Sequence, residues 1–226
     1  MNYKNEVLDA YKCAFENDFD TLKNIIRESP DIINKKDNSG RTLLHCATSK
    51  GNIEIIEYLI DQCHATVDEK DELGWTPLMM ASSAGWQNVV FYLLNKGAKV
   101  NITNNNKQTP LHYAASKNHL GILLLLLNEN AKVDAYDNFG NTPLHRASSQ
   151  GHADIVKSLL EFEANNNIQN LEGNTPLHLA CEENREEIVD ILLENQADIN
   201  IQNKQKKTPI DMAEPGLKRK LTKLKK

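Results

Sequence analysis

The sequence is poor in cysteine, in long apolar runs and in positive charge. Only 4 of its 226 residues are cysteine, and no two of them form a C-x-x-C pair. We therefore expect reduced thiols in a protein of the cytoplasm and nucleus. The longest apolar run, Ile122 to Leu127, is far shorter than the ~20 residues of a membrane helix. The first residues also lack the apolar segment of a secretory signal, so we expect no membrane association.

The charge balance argues against a general nucleic-acid binder, which usually carries a basic excess or stripe. The formal net charge is −5. The last nine residues contain six Lys or Arg, which leaves −11 on the first 217. The basic end has two interpretations, a solvated terminal cap or a docking or nuclear-import patch.

Motifs of known catalytic centres are also missing. The sequence contains no H-E-x-x-H, G-x-S-x-G or G-x-x-x-x-G-K-[ST] pattern. Four of its seven histidines, His45, His112, His145 and His178, recur at one place in a repeated motif. We expect each to bond backbone groups of a neighbouring repeat. The sequence thus predicts a protein that is not an enzyme, with no catalytic, cofactor or metal site.

An internal repeat organises the whole chain. A motif that begins T-P-L-H-x-A recurs with its threonine at Thr42, Thr76, Thr109, Thr142, Thr175 and Thr208, and only the first interval is longer, by one residue. A second motif, Ile-Val-x-x-Leu-Leu in most copies, keeps the same phase. Thr and Pro suit the start of a first helix, and the second spacing places four apolar residues on one face of a second helix. Turn-forming segments such as Asp71 to Gly74 link the repeats.

With this signature and period the chain resembles the ankyrin-repeat family. The resemblance implies an all-α solenoid of seven helix-turn-helix repeats with β-hairpin tips, whose first and last repeats act as caps. We expect a single domain over 1–226. Its repeats run at about 1–37, 38–70, 71–103, 104–136, 137–169, 170–202 and 203–226.

Two local departures carry structural expectations. The extra residue of the one longer interval falls within Asp61 to Lys70 and is expected to bulge the loop after the second helix. Gly97 and Asn130 suit the left-handed residue that ends this helix. Glu163 and Gln196 hold the same place in later repeats, so we expect mild strain there.

A partner should bind the concave surface that such solenoids form from hairpin tips and the exposed side of each first helix. Trp75, Tyr113 and Phe139 are the expected anchors, although Trp75 and Phe139 could instead pack against neighbouring tips. Positive residues lie toward the early repeats and negative ones toward the sixth. This predicts a partner that is acidic where it meets the early repeats and basic where it meets the later ones. The candidate partner-binding residues are Arg41, Lys50, Glu72, Trp75, Met80, Gln108, Tyr113, Lys117, Phe139, Arg146, Glu172, Glu182 and Glu183.

Two further features could bind other partners. Leu179, Cys181 and Glu183 match the L-x-C-x-E pattern of peptides that dock to retinoblastoma-type pocket proteins, but they fall inside a predicted first helix. Phe91 and Leu124 stand where second helices usually carry solvated residues. They form either a small outer patch or two scattered surface residues.

Three stretches go beyond the common repeat: Asp71 to Leu78, Thr109 to Asn118, and Gly173 to Glu183. They resemble the ankyrin-repeat chaperones of proteasome assembly. That resemblance implies a monomer that binds the C-terminal domain of an ATPase subunit of the 26S proteasome regulatory particle. Arg41, Trp75, Tyr113 and Lys117 match positions on or near the binding face of those chaperones. It also implies an alternative, a cell-cycle adaptor that binds a retinoblastoma-type protein or a cyclin-dependent kinase.

Overall fold

A computed structural model describes the backbone of residues 3–224 and the side chains of residues 9–222. Its contacts group the chain into two compact units, Met1–Asn105 and Asn106–Lys226. Each unit is a stack of helix pairs with the ankyrin-repeat arrangement predicted from the sequence. The assignment of residues 1–226 to a single domain stays a prediction.

Unit 1 holds three helix pairs, in which the first helices pack on one another in chain order. The first helices bury small and branched apolar residues such as Leu43, Ala47 and Leu78, which lets them approach closely. Their partners bury the predicted apolar face, including Ile55, Ile56 and Val89. The helices are α1 (Tyr3–Glu16), α2 (Phe19–Glu28), α3 (Leu43–Lys50), α4 (Ile53–Glu57), α5 (Pro77–Ala84) and α6 (Gln87–Asn95), with one 3₁₀ turn at Pro30–Ile32.

Unit 2 holds four helix pairs built on the same plan. Its first helices also pack in chain order, and its second helices α8, α10 and α12 do so behind them. The helices are α7 (Pro110–Ser116), α8 (Leu120–Asn128), α9 (Pro143–Gln150), α10 (Ala153–Glu161), α11 (Pro176–Glu182), α12 (Glu186–Glu194), α13 (Pro209–Met212) and α14 (Pro215–Leu224).

The turn tips between repeats differ from the predicted β-hairpins, because residues 3–224 contain no β-strand. A typical tip is a tight turn with two internal backbone bonds, such as Asp71 N–H to Trp75 C=O and Gly74 N–H to Asp71 C=O, both at 2.9 Å. Successive tips share one further bond, for example Asn105 N–H to Leu73 C=O at 3.0 Å. One backbone bond between neighbouring tips is too short a ladder to count as a strand. The tips therefore stack as turns.

The extra residue lies within Asp61 to Lys70 as predicted, but the helix absorbs it rather than the loop. Helix α4 continues as a π-turn over Tyr58–Gln62, where Cys63 N–H bonds Tyr58 C=O at 3.1 Å. The left-handed residue then falls at His64, with φ of 57°. One inserted residue is the change that converts an α-turn into a π-turn, so the next tip keeps its register.

Strain was predicted at Glu163 and Gln196, and both adopt the left-handed conformation, with φ of 62° and 64°. A side chain with a Cβ pays a steric cost there that glycine avoids. Replacing Glu163 or Gln196 by glycine is expected to raise the free energy of unfolding by about 0.5–1 kcal/mol. Urea denaturation of each variant measures the change.

Asn130→Gly is the matched control for these two variants. Asn130 has the same conformation, with φ of 61°. Asparagine tolerates that conformation better than Glu or Gln does. The gain at Asn130 should therefore be the smallest of the three. Equal gains at all three positions, or no gain at Glu163, would contradict the strain.

The basic end forms a cap in its described part. Helix α14 buries Leu217 and Leu221 against unit 2. Lys218 Nζ lies 3.4 Å from Asp211 Oδ1, and Lys220 Nζ lies 2.7 Å from Asp190 Oδ2. These contacts favour the cap over a free basic patch.

Candidate functional site

The four motif histidines are structural, as the sequence predicted. In each, Nδ1 accepts the backbone N–H of the preceding motif threonine, at 3.1–3.2 Å. Nε2 reaches a backbone carbonyl of the next turn tip, such as Trp75 C=O from His45 at 3.1 Å. Nδ1 must therefore be unprotonated while Nε2 carries the hydrogen and donates it. The other three carbonyls belong to Asn141, Asn174 and Lys207.

Burial lowers the pKa of all four imidazoles. For His112 and His145 the pKa falls to about 4. These side chains join one repeat to the next and are poorly suited to proton transfer near neutral pH.

The surface made by turn tips and first helices, here called the tip face, carries a pocket in unit 1. The pocket has a volume of about 350 Å³, which places it at the lower end of the range for ligand sites. Helices α3 and α5 and two turn tips form its walls. Its lining comprises Arg41, Ser49, Asp71, Leu73, Trp75, Met80, Ser83 and Ala84. Three of the sequence-predicted binding residues thus meet there: Arg41, Trp75 and Met80.

The pocket combines apolar and charged groups of unequal exposure. Leu73 is 63% exposed at the tip, whereas Met80 is 9% exposed in the floor. Trp75 is half-buried, so its ring can contact a partner side chain within the pocket. The Asp71 carboxylate is buried, and Arg41 Nε lies 3.7 Å from its Oδ2. Such a mixture suits an anchoring side chain of another protein.

Arg146 makes an internal ion pair in unit 2. Its Nη2 bonds Oδ2 of Asp137, whose side chain is 1% exposed. Asp137 Oδ1 meanwhile accepts the N–H groups of Phe139 and Asn141, at 2.8 and 2.9 Å, and so fixes the turn tip. The Arg146 side chain is still 34% exposed, so its role as a partner-binding residue stays a prediction.

The other predicted residues of unit 2 fall into two groups. Tyr113 is half-buried, and its hydroxyl donates to Gln108 Oε1 at 2.7 Å, so these two predicted residues form one contact. Phe139 is 64% exposed, which argues against the alternative that it packs between tips. Leu171 follows on the next tip at 60% exposure. Phe139 and Leu171 are linked through Leu171 N–H to Phe139 C=O at 2.9 Å.

The charged candidates lie on exposed surface, as their predicted role requires. Lys50 Nζ in unit 1 lies 4.4 Å from the centroid of the Phe15 ring. Glu72 is exposed on a turn tip of the same unit. Lys117, Glu172, Glu182 and Glu183 are exposed in unit 2.

The L-x-C-x-E stretch is held in a helix. Leu179 and Cys181 lie in α11, and Glu183 is the residue that ends it. Cys181 is 0% exposed, and burial raises the pKa of its thiol to about 12. Docking as an extended peptide would require α11 to unfold and to leave the core of unit 2.

The two residues of the suggested outer patch differ in exposure. Phe91, on α6 of unit 1, is 56% exposed. Leu124, on α8 of unit 2, is half-buried, so the prediction that it points outward is only partly right. Neither unit by itself carries the two-residue patch.

The sequence did not single out Asp71, because a tip aspartate is expected to do no more than close its turn. The signal that could have found it is the residue nine positions later. Repeat five has Arg146 nine residues after Asp137, while Met80 stands nine residues after Asp71. That difference leaves a carboxylate in the pocket wall.

The described residues offer no other recognisable chemistry. In residues 9–222 no three His, Cys, Asp or Glu side chains are grouped so as to hold a metal ion. None of the described helices has both the length and the apolar character needed to cross a membrane.

Comparisons with known proteins agree with this geometry. A family model described as ankyrin repeats (3 copies) matches residues 10–104, 63–137, 88–170 and 111–203. A crystal structure of the human ASB11 ankyrin repeat domain is 27% identical in sequence, with a TM-score of 0.84. The match covers 94% of this chain and 96% of that chain. No curated protein matches the sequence.

Proposed function

The chain belongs to the ankyrin-repeat family, and from that premise we propose that it is a gankyrin-type chaperone of proteasome assembly. Members of the fold act as protein-binding scaffolds. The proposed partner is the C-terminal domain of one ATPase subunit of the 26S regulatory particle. The chaperone would bind that domain through its tip face and leave once the particle is assembled.

One observation carries the proposal. The pocket of unit 1 brings together Arg41, Trp75 and Met80, three residues that the sequence alone predicts to bind a partner. Two of these, Arg41 and Trp75, are also the positions of unit 1 at which the resemblance to the assembly chaperones is specific. A half-buried tryptophan beside a charged side chain is typical of an interface hot spot.

Charge supports the choice of a folded, charged partner. Arg41 and Lys50 lie on the tip-face side of unit 1, and Glu172, Glu182 and Glu183 lie in unit 2. A partner with acidic and basic surfaces would be oriented by these groups before close contact forms.

Replacing Trp75 by alanine is expected to weaken binding of the ATPase C-terminal domain by at least about 30-fold. The loss follows from about 2 kcal/mol or more for truncation of a central aromatic anchor. Isothermal titration calorimetry of the purified domain against wild-type and variant chains measures it.

Phe91→Ala is the matched control, because it removes an aromatic ring of 56% exposure from the same unit but from α6, away from the pocket. Its affinity should stay within about twofold of wild type. The proposal fails if the wild-type chain does not bind the ATPase domain, or if Trp75→Ala binds it as tightly as wild type does.

A further inference from the structure

The pocket of unit 1 contains a carboxylate that the chain itself satisfies on one side only. Asp71 is 8% exposed, and its Oδ1 accepts the N–H groups of Leu73 and Trp75, at 2.9 and 2.8 Å. Its Oδ2 faces Arg41, whose Nε lies at 3.7 Å, beyond hydrogen-bond distance. Among the described residues, no donor bonds this oxygen. A buried carboxylate in that state is a strong acceptor for a cation that enters the pocket.

Unit 2 shows how such a carboxylate is satisfied in this fold. There Asp137 closes its turn through Oδ1 in the same way, and Arg146 supplies a direct bond to Oδ2. Arg146 follows Asp137 by nine residues, and the residue nine after Asp71 is Met80. Repeat three therefore has the acceptor without its internal guanidinium. The place of the missing guanidinium is the pocket, with Met80 in its lining.

We infer that the pocket is a receptor for an arginine side chain of the bound partner, whose guanidinium bonds Asp71 Oδ2. The aliphatic stem of that arginine packs on Met80 and Leu73, and the Trp75 ring offers a flat surface for the guanidinium. An arginine fits better than a lysine because its planar fork can bond the carboxylate while stacking on an aromatic ring. This inference deepens the proposed function and rests on it for the identity of the partner.

The Arg41 side chain must move for the partner arginine to reach Asp71 Oδ2. It is 45% exposed and holds Asp71 by one long contact, so moving it breaks no hydrogen bond. Once displaced by the partner arginine, its guanidinium is free to pair with an acidic residue of the partner. The bound segment should thus carry an arginine with a carboxylate nearby, and the two charges exchange partners with Arg41 and Asp71.

The first test needs no proteasomal partner and uses a free arginine analogue. N-acetyl-arginine amide, titrated into the full ¹⁵N-labelled chain, should shift the Trp75 indole signal with a millimolar dissociation constant. The Trp86 indole, which packs on Gly51, should not move. N-acetyl-citrulline amide, the neutral isostere, should bind at least about tenfold more weakly, and N-acetyl-lysine amide should also bind more weakly. Equal binding of citrulline or lysine would overturn the inference.

Asp71→Asn is the sharp variant, because the chain already uses asparagine in this place without losing the turn. Asn170 Oδ1 accepts the N–H groups of Glu172 and Asn174, at 3.0 and 2.9 Å. The variant should keep the wild-type melting temperature within a few degrees and lose the response to the arginine analogue. A full response in Asp71→Asn would overturn the inference.

Met80→Arg tests the same site in the opposite way, since it copies the arrangement of repeat five. The new internal arginine should bond Asp71 and fill the pocket. The variant should fold with at least wild-type stability, show no response to the arginine analogue and bind the ATPase domain at least about tenfold more weakly.

If the wild-type chain binds the analogue but not the ATPase domain, the proposed function is wrong and the inferred arginine site is kept. If the wild-type chain binds the domain and Asp71→Asn binds it equally well, the inferred arginine site is wrong and the proposed function is kept.

Discussion

Lowering the pH from 7.5 to 4.5 is expected to remove roughly 5 kcal/mol from the free energy of unfolding through His112 and His145. Both imidazoles are buried as the neutral form, and burial lowers the pKa of each to about 4. Their bonding leaves no room for a second proton, because Nδ1 already accepts a backbone N–H. A loss of this size is a large part of the roughly 5–15 kcal/mol that stabilises an ordinary domain.

The sign follows from which state binds more protons. In the unfolded chain a histidine titrates near its ordinary pKa of about 6.5, whereas in the folded chain the pKa of each of these two is about 4. Between those values the unfolded state takes up protons that the native state cannot. The contribution of these two histidines to stability is therefore full above about pH 6.5, falls as the pH drops toward 4, and stops changing below it. His45 and His178 have pKa values lowered by the same cause and add to the loss.

Urea denaturation followed by circular dichroism at a series of pH values measures this loss. The His112→Met and His145→Met double variant should be less stable at pH 7.5 but much less sensitive to acid. Methionine is a suitable replacement because Met79 fills the same position in repeat three, fully buried. His64→Asn, at an exposed left-handed position, is the control and should keep the wild-type pH dependence. A double variant with the wild-type dependence would contradict this account.

The fold could be predicted because the same sequence motif recurs in successive repeats, and each copy supports the same assignment. Each motif threonine is followed by residues that serve local needs, a cap, a rigid first turn and a narrow apolar face, and these needs are the same in every copy. The histidine role was also predictable, since an imidazole that recurs at one place can bond the same backbone group each time. Even the strained Glu163 and Gln196 followed from comparison with Gly97 and Asn130 in other copies.

Features in which one repeat differs from the others, or which depend on contacts between repeats, were harder to predict. One extra residue between Asp61 and Lys70 can be accommodated by a longer loop or by a π-turn, and local sequence does not separate the two. The structure uses the π-turn at Tyr58–Gln62, and the chain after it reaches the next turn tip in register. The tips were expected to be β-hairpins. Neighbouring tips share only one backbone hydrogen bond, so they are turns and not strands.

The candidate site was predicted by residue type, and the structure adds side-chain contacts that residue type does not specify. Arg41, Trp75 and Met80 meet in one pocket because α3 and α5 pack side by side, which the period implies. Arg146 was placed in the same class as Arg41 because both are arginines on the tip face. They differ in their contact with a buried carboxylate. Arg146 bonds Asp137 directly, whereas Arg41 Nε lies 3.7 Å from Asp71 Oδ2. Distances of that kind depend on side-chain conformations that a sequence pattern does not specify.

Gly74→Ala is expected to cost about 2–4 kcal/mol of unfolding free energy, and Gly97→Ala only about 1 kcal/mol. The two glycines share the left-handed conformation, with φ of 78° and 82°. Both variants therefore carry the same backbone penalty. They differ in what a Cβ would touch. At Gly74 it would lie 2.8 Å from the backbone nitrogen of Asn105, on the next turn tip, whereas at Gly97 nothing lies within 4 Å.

The difference between the two variants measures how firmly neighbouring turn tips are held together. Relief of the contact at Gly74 requires the tips to move apart, which stretches the bond from Asn105 N–H to Leu73 C=O, now 3.0 Å. Both glycines lie in unit 1, so urea denaturation of the two variants compares them within one folding unit. Equal losses would mean that the tips separate at little cost, and the tip face would then be a soft surface. A larger loss at Gly74 would mean a rigid one, on which Trp75 and Asp71 are held in place before a partner arrives.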